Sequence, residues 1–537
     1  MVANQDQTRP VSTLYVRQAT GLIREIGFGT NVAIALSFMS IPYAALIATT
    51  GAMAFPGANL VLAVVLAGIL CVPMVYLFGW LGTVMPRSGG DYVFVSRIIS
   101  PLVGFAASFN LTVWFLLVLA LFGAILASFG LSAALAAMGV ALHNAGLVDW
   151  SARVASKGWQ FGVGTAALAL TAVLMSLRGT TWQRVFRVVF YASLAGVVVA
   201  IVVMLLRSRA VFSAALPAFG TSYDAVLQAG SKAGYRLNAP FSLWATLAAT
   251  PLAFNFFGFG IVPVYSGGEI RSPRQTLIRA LLTAVVLGGL VVLLMVGVAV
   301  ATFGHDFLGA ATYLSTFEPK QYPFSAPSFL FLFVAMLTHN SVLIAVIGIS
   351  FALAFLAAFP PTFLIVSRNL FAWSFDRVIP SRVAAVNDRT HSPVFANLVV
   401  TVACIAFLAL IVYGPATILT FVYAEVAGVA LTWMVTAIAG ATFPFRRAEL
   451  YQRSPISRHR LLGLPAITVV GALAFAAYLV FLVPLLTNTA LGVRSTPGIT
   501  ALVVIAVTPF LLYAVSYAVQ RRRGVDLSVA FRELPPE

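Results

Sequence analysis

The sequence predicts an all-α integral membrane protein of twelve transmembrane helices: two five-helix repeats of inverted topology, then two C-terminal helices. Three observations predict it. Apolar residues make up 61% of the 537-residue chain and charged residues 9%, and the mean hydropathy is +0.99, outside the range of ordinary soluble domains. Apolar runs of the roughly 20 residues needed to cross a bilayer recur from one end to the other. Two of these runs, five spans apart, are interrupted in mid-membrane, the spacing expected of two five-helix halves.

The first five spans are expected at Asn31–Ala54, Ala58–Leu81, Leu102–Ser132, Gln160–Leu177 and Arg187–Leu206. The next five fall at Phe241–Tyr265, Leu277–Thr302, Ser341–Val366, Val394–Val412 and Ala416–Ala441, and the last two at Leu464–Leu486 and Thr500–Val519. The chain thus divides into a cytoplasmic tail (1–28), a ten-helix core (29–441, with repeats 29–206 and 241–441), a loop with two helices (442–519) and a second cytoplasmic tail (520–537). Most of the 32 Lys and Arg residues lie in loops on the side of the N-terminus, which puts both termini inside the cell. The main exceptions, Arg207, Arg209, Lys232 and Arg236, sit in the long external loop 207–240, where charge has less say. The polar start, with Arg9, Arg17 and Arg24, lacks the short apolar core and cleavage site of a signal peptide and reads as a retained tail. The net charge of +17 is scattered over short loops rather than gathered in a stripe, which argues against a nucleic-acid partner. Cys71 and Cys404 fall inside spans and imply neither a disulfide framework nor a metal site.

Span six carries the clearest interruption. Phe256-Phe257-Gly258-Phe259-Gly260 brings two glycines to mid-membrane, and Pro263 follows. Glycine weakens a helix interior and proline removes a backbone donor. Lipid cannot satisfy the freed groups, so such a break must be buried in protein or line a wet cavity. Span one holds the second candidate, where Pro42 and small hydroxyls interrupt the run from Ser37 to Tyr43. Paired interruptions in corresponding helices point to a substrate site. The broken ends would present backbone groups from Ser40, Ile41, Pro42, Tyr43 and Ala44, and from Phe256, Phe257, Gly258, Phe259 and Gly260.

Three stretches lie on the cytoplasmic side. Pro86 to Tyr92, with Gly89, Gly90 and Asp91, reads as a turn into the start of an interfacial helix. Glu269 to Arg274, with Pro273, reads as a charged turn. Ser367 to Pro380, with Arg368, Trp373 and Asp376, reads as an amphipathic connection at the inner interface.

In order and position these stretches resemble the amino acid–polyamine–organocation transporter family. That family carries Pro-x-Ser-Gly-Gly-acidic-Tyr before span three, Glu-x-basic-x-Pro-Arg after span six, and Ser-Arg followed by Asp, Pro and a small-Pro pair after span eight. Here they are Pro86–Tyr92, Glu269–Arg274 and Ser367-Arg368 with Asp376, Pro380 and Ser392-Pro393, and Arg24-Glu25-Ile26-Gly27 resembles the family's lead into span one. The resemblance implies a LeuT-type fold and alternating access to a site between spans one, three, six, eight and ten. The family's Gly-small-Gly break in span one is replaced by Ile41-Pro42-Tyr43, and proline has no N–H to give a substrate carboxylate. An acid that some relatives carry in span six is Ile261 here.

Glu425 is the one acidic residue placed deep in the bilayer, about 14 Å along span ten at the helical rise. A carboxyl at that depth is costly and functional by default; it would exchange a proton or meet a cationic group of the substrate, or else brace the bundle. Asn110 in span three would face the site or bond a neighbouring helix. Ser350 in span eight is a possible sodium ligand, and also a possible helix–helix contact. His339, after the apolar run Ser328–Leu337, reads as a packed or solvated histidine rather than a pH sensor. Arg446–Arg460 and Arg521–Arg523 read as topology and headgroup anchors.

The expected function is secondary active transport of amino acids or related small organic solutes across the cell membrane, coupled to a cation, foremost a proton, or run as exchange. The alternative is a polyamine or organic-cation carrier of the same fold. A channel or a membrane-embedded enzyme is the reading from other classes, and neither a filter-like ring nor a catalytic cluster supports it. The implied partners are a small solute and the lipid bilayer; no cofactor is implied beyond a transported proton or sodium ion.

Overall fold

A computed structural model describes residues 22–39, 41–338, 340–414, 418–488, 491, 493–524 and 531, without the side chains of 41–43 and 415–419. Among the described residues, twelve helices are long and apolar enough to cross a membrane. Span one comprises Phe28–Met39 and Ile41–Ala54, on either side of Ser40, which lies outside the described residues. Spans two to five are Leu60–Val84, Pro101–Ala141, Lys157–Met175 and Gly179–Leu205. Spans six to nine are Leu243–Tyr265, Pro273–Phe303, Ser341–Phe375 and Val394–Tyr413. Span ten is Ile418–Arg446, and spans eleven and twelve are Ala466–Thr487 and Thr496–Arg522.

Local chemistry sets several helix starts. The Asn59 side chain accepts from the Leu62 N–H, Ser100 from Val103, Ser242 from Ala245 and Asn340 from Val342, each satisfying an amide that the first helical turn leaves unpaired. Burial then sorts the spans into layers. The most apolar stretches of spans three and six are 94% buried by protein, while that of span twelve is 17% buried, so the former form the centre and the latter faces lipid.

Two helices depart from regular geometry near the centre. Span six is α-helical over Leu243–Phe257 and continues as a 3-10 helix over Gly258–Tyr265. The change falls where the glycine pair and Pro263 predict it. Span three contains a π-helical segment at Leu126–Leu131, a form that often marks functional sites. A third irregularity lies in span eight. Pro361 has no N–H for the carbonyl four residues back, and that carbonyl, Ala357 O, accepts from Ser37 Oγ of span one at 2.5 Å.

One reading needs correction. Span eight does not end at Val366: it runs as one helix to Phe375, so Ser367–Phe375 continues it rather than forming a separate connection. Trp373 is buried there, its indole N–H donating to Ser108 Oγ at 3.0 Å and its ring stacked on Phe109. The short helix Asp91–Ile98 is covered by protein, with all eight of its residues buried. Hydropathy ended span eight early because Arg368 and Asp376 are neutralised by partners distant in sequence.

The end opposite these motifs is roofed by short helices, Arg209–Ala215, Tyr223–Lys232, His305–Phe317 and Leu330–Ala335. The last lies in the apolar run before His339, which itself is outside the described residues. Phe212 anchors the roof edge-on to Phe303 and Phe307, with centroids 4.8 and 5.0 Å away.

Candidate functional site

Spans one, three, six and ten meet around an aromatic cluster. Phe38, the last but one residue of the first half of span one, lies 4.8 Å from Phe259 and 5.4 Å from Phe115 between ring centroids. Phe259 is also 5.6 Å from Phe115 and 5.6 Å from Trp433. Phe259 is therefore the one expected span-six phenylalanine that reaches the centre. Phe256 lies against Gly288 of span seven, and Phe257 against Gly289 of span seven and Gly68 of span two. These two rings pack span six onto its neighbours. Gly258 and Gly260 are buried at the start of the 3-10 segment, Gly260 beside Met39 of span one. Of the residues expected from span one, Ala44 is buried in its second half, Ser40 lies outside the described residues, and the side chains of Ile41, Pro42 and Tyr43 do too.

Below the cluster, the three motif stretches gather at one end of the bundle. Gly89 and Gly90 adopt φ of +103° and +47°. A Cβ at Gly89 would come within 2.7 Å of Ala372, and one at Gly90 within 2.7 Å of the Tyr265 ring, so only glycine fits this turn. The Gly89 N–H donates to Tyr265 O at 3.0 Å, and Trp433 Nε1 donates to Tyr265 Oη at 3.0 Å, tying the turn to spans six and ten. Pro86 leads into this turn, and Pro273 opens span seven.

Two buried bidentate ion pairs close this end. Arg97 donates to Asp376 at 2.7 and 2.9 Å, linking the helix after the Gly-Gly turn to the end of span eight. Arg368 donates to Glu269 at 2.5 and 2.8 Å, linking span eight to the segment after span six. The Ser374 hydroxyl bonds Pro380 O at 2.7 Å and shapes the turn that follows. The guanidinium of Arg97 also lies over the rings of Tyr92 and Phe531, 5.7 and 4.8 Å from their centroids. The segment before span one crosses the same surface, where Ile26 N donates to Glu269 O and Arg271 N to Ile26 O, both at 2.9 Å. Asp91 is wholly buried; burial lifts its carboxyl to about 7, against the nearby Tyr265 hydroxyl and a hydrogen bond from the Tyr92 N–H that pull it down.

The other end of the cluster holds space. A cavity of about 290 Å³ lies between spans one, three, eight and ten and the roof, walled by Leu46, Leu121, Ile125, Phe129, Phe355 and Val422. Phe129 belongs to the π-helical segment of span three. Beneath it is a void of about 10 Å³, lined by Thr50, Asn255 and Tyr423 among others. Asn255 is 2% exposed, and neither its amide oxygen nor its nitrogen has a hydrogen-bond partner among the described residues.

Glu425 is 1% exposed, and both of its carboxyl oxygens lack a hydrogen-bond partner among the described residues. It follows Val422 of the cavity wall by one turn, on the side of span ten that carries Gly428 and Thr432. That side faces span three, because Asn110 Nδ2 donates to Gly428 O at 3.0 Å and to Thr432 Oγ1 at 2.7 Å. The Asn110 oxygen accepts from Trp114 Nε1 at 3.1 Å, so this amide is spent on helix packing. Ser350 is likewise engaged, donating to Ala192 O of span five at 3.4 Å.

Sequence reasoning missed Phe38, Phe115, Trp433, Thr50, Asn255 and Arg97. A lone amide in an apolar span, one turn before a glycine pair, was a signal for Asn255, and a buried-type Asp376 needing a cation was one for Arg97. The aromatic cluster had no such signal, since phenylalanines crowd every span.

No curated protein matches this chain. A family model described as amino acid permease matches residues 28–511, which takes in all twelve membrane-length helices but the last turns of span twelve. The chain belongs to the amino acid permease family and is a multi-pass membrane transporter of amino acids or related solutes.

Proposed function

We propose that the protein is a secondary active carrier that moves amino acids or related small organic solutes across the cell membrane by alternating access, with proton coupling through Glu425. In this reading the motif-bearing end and both termini face the cytoplasm, and 29–206 and 241–441 are inverted repeats whose first helices frame the site. The observation that carries it is the state of Glu425. A carboxyl fully inside the bundle, with no protein partner among the described residues, is stable there only when neutral or when met by a cation. A proton and the substrate's ammonium are the two candidates. The aromatic cluster of Phe38, Phe115, Phe259 and Trp433 stands between the cavity and the ion-paired end and acts as the barrier that each half-cycle moves. Ser350 and Asn110, both committed to helix packing, are left out of the coupling.

Counterflow into proteoliposomes tests the carrier reading, because exchange against internal substrate is a carrier property. The expected result is counterflow that survives Glu425→Gln, while uphill uptake driven by a pH gradient is lost. Uphill uptake that is equally strong in Glu425→Gln contradicts the coupling role. Strong inhibition by spermidine or putrescine would favour the organic-cation reading, for which an uncompensated buried acid is the supporting observation.

A further inference from the structure

We infer that the hairpin between spans ten and eleven is a lipid-binding element. Its leucine tip enters the inner leaflet, and the arginines around it hold the headgroups of anionic phospholipids. The choice of leaflet rests on the orientation proposed above; the contact with lipid depends neither on that nor on what the protein carries.

Arg460-Leu461 and Leu464-Pro465 pair as antiparallel strands, Arg460 opposite Pro465 and Leu461 opposite Leu464. The two residues that join them, Leu462 and Gly463, have φ of +51° and +77°. Such a left-handed pair makes the tightest hairpin turn. Glycine suits it. At the first position Asn, Asp or Gly is usual, and leucine is a strained choice. It is also a poor choice for water: Leu462 is 94% exposed, with Leu461 and Leu464 beside it at 46% and 49%. A strained apolar residue that the rest of the chain leaves uncovered points to a partner outside the chain.

Depth and charge identify that partner. The Ala466 N–H donates to His459 O at 2.9 Å, so span eleven starts at the foot of the hairpin. The His459 ring lies parallel to the Trp80 ring, with centroids 5.9 Å apart. Trp80 stands one turn inside the end of span two at Val84, a depth at which tryptophan meets headgroups. The hairpin is therefore level with the bilayer surface. Between 446 and 465 the chain carries Arg446, Arg447, Arg453, Arg458 and Arg460 against a single acid, Glu449. Arg453, Arg458 and Arg460 are exposed. Leucines ringed by arginines match a surface that is negative on top and apolar beneath. A soluble acidic partner would satisfy the arginines and leave the leucines wet.

The test uses the full chain with Cys71 and Cys404 replaced and an environment-sensitive fluorophore on Leu461→Cys. It is reconstituted in vesicles of phosphatidylcholine, alone or mixed with phosphatidylglycerol. In the mixed vesicles the emission moves to the blue relative to detergent. A nitroxide just below the lipid headgroup quenches it, and aqueous iodide does not. Neutral vesicles give a smaller shift, which added inorganic phosphate does not enlarge. Leu462→Ser abolishes the shift. Arg458→Gln and Arg460→Gln each raise the phosphatidylglycerol fraction needed for half the shift, by about fivefold per arginine. Both kinds of variant change exposed side chains, so each keeps the parent's Tm in detergent. If one fails to fold, the neutral and anionic vesicles still decide with the parent reporter. Iodide quenching without a shift in any vesicle overturns the inference, and so does an equal shift in neutral and anionic vesicles. A shift that vanishes as the protein is diluted in lipid assigns the hairpin to a second copy of the chain and overturns it too.

Discussion

At the motif-bearing end, polar groups are paired across long stretches of chain: Arg97 with Asp376, Arg368 with Glu269, Ile26 with Glu269 and Arg271. At the far end, Asn255 and Glu425 are buried with no hydrogen-bond partner among the described residues, and a cavity of about 290 Å³ lies nearby. A space of about 270 Å³ exists at the motif-bearing end too, but it lies beside span five, lined by Glu25, Arg178, Trp182 and Arg389, with the Glu269–Arg368 pair as part of its wall. The contrast separates two uses of buried polarity. The two ion pairs fix one arrangement of helices; Ser88 Oγ, Asp91 Oδ2 and Tyr92 Oη at the same end also lack partners among the described residues, so what sets the far end apart is the cavity near its unpartnered groups. On the proposed orientation, the chain is closed to the cytoplasm and keeps its site on the outer side of the aromatic cluster.

Breaking the closed end should give the largest effect. Asp376→Asn or Glu269→Gln leaves a buried guanidinium without its charge partner and costs about 3–5 kcal/mol, read as a fall in Tm or in the amount of folded protein in detergent. Replacing both members of a pair by apolar residues of similar size, as in Arg368→Met with Glu269→Leu, should recover much of that loss. If the single and double variants are equally unstable, the pairs are not what holds this end.

A smaller, pH-graded effect is expected at Asp91. Its ordinary value of 3.8 is raised by burial to about 7, opposed by Tyr265 and the Tyr92 N–H, and the other titratable group facing it is Tyr478. The folded state therefore binds the proton more tightly than the unfolded one. Its contribution is full below about pH 4, declines as pH rises, and is gone above about pH 7. Asp91→Asn should flatten the fall in Tm between pH 5 and pH 8 by a few degrees. An unchanged slope would show that Asp91 is ionised in the closed state.

Helix-packing polar groups should matter least. Asn110→Ala removes bonds to Gly428 O and Thr432, yet such contacts between membrane helices average only about 0.6 kcal/mol. Ser350→Ala should be smaller still, with no change in sodium dependence of transport. A sodium-dependent change would return Ser350 to the ion-coupling machinery.

The contrast between the two ends also explains what the sequence could reveal. The spans were legible because hydropathy is a local property, and the change in span six was legible because Gly258, Gly260 and Pro263 act on their own backbone. The end of span eight was not. Arg368 and Asp376 look like surface charge until their partners are known, and those lie 99 and 279 residues away. The same limit applied to the phenylalanines: Phe256, Phe257 and Phe259 are equivalent in sequence, and only packing separates the one at the centre from the two against span seven. The Pro360-Pro361 pair, which frees a carbonyl for Ser37, was visible in the sequence but had no recognisable partner there.

The central claim is that the site opens to one side of the membrane at a time. In a background with Cys71 and Cys404 replaced, Thr50→Cys and Ser88→Cys can be labelled with a membrane-impermeant maleimide in right-side-out and inverted vesicles. The account predicts that Thr50→Cys reacts only from outside and is protected by substrate, that Ser88→Cys reacts only from inside, and that trapping one site exposed suppresses labelling of the other. Simultaneous, substrate-independent reaction at both positions would contradict it.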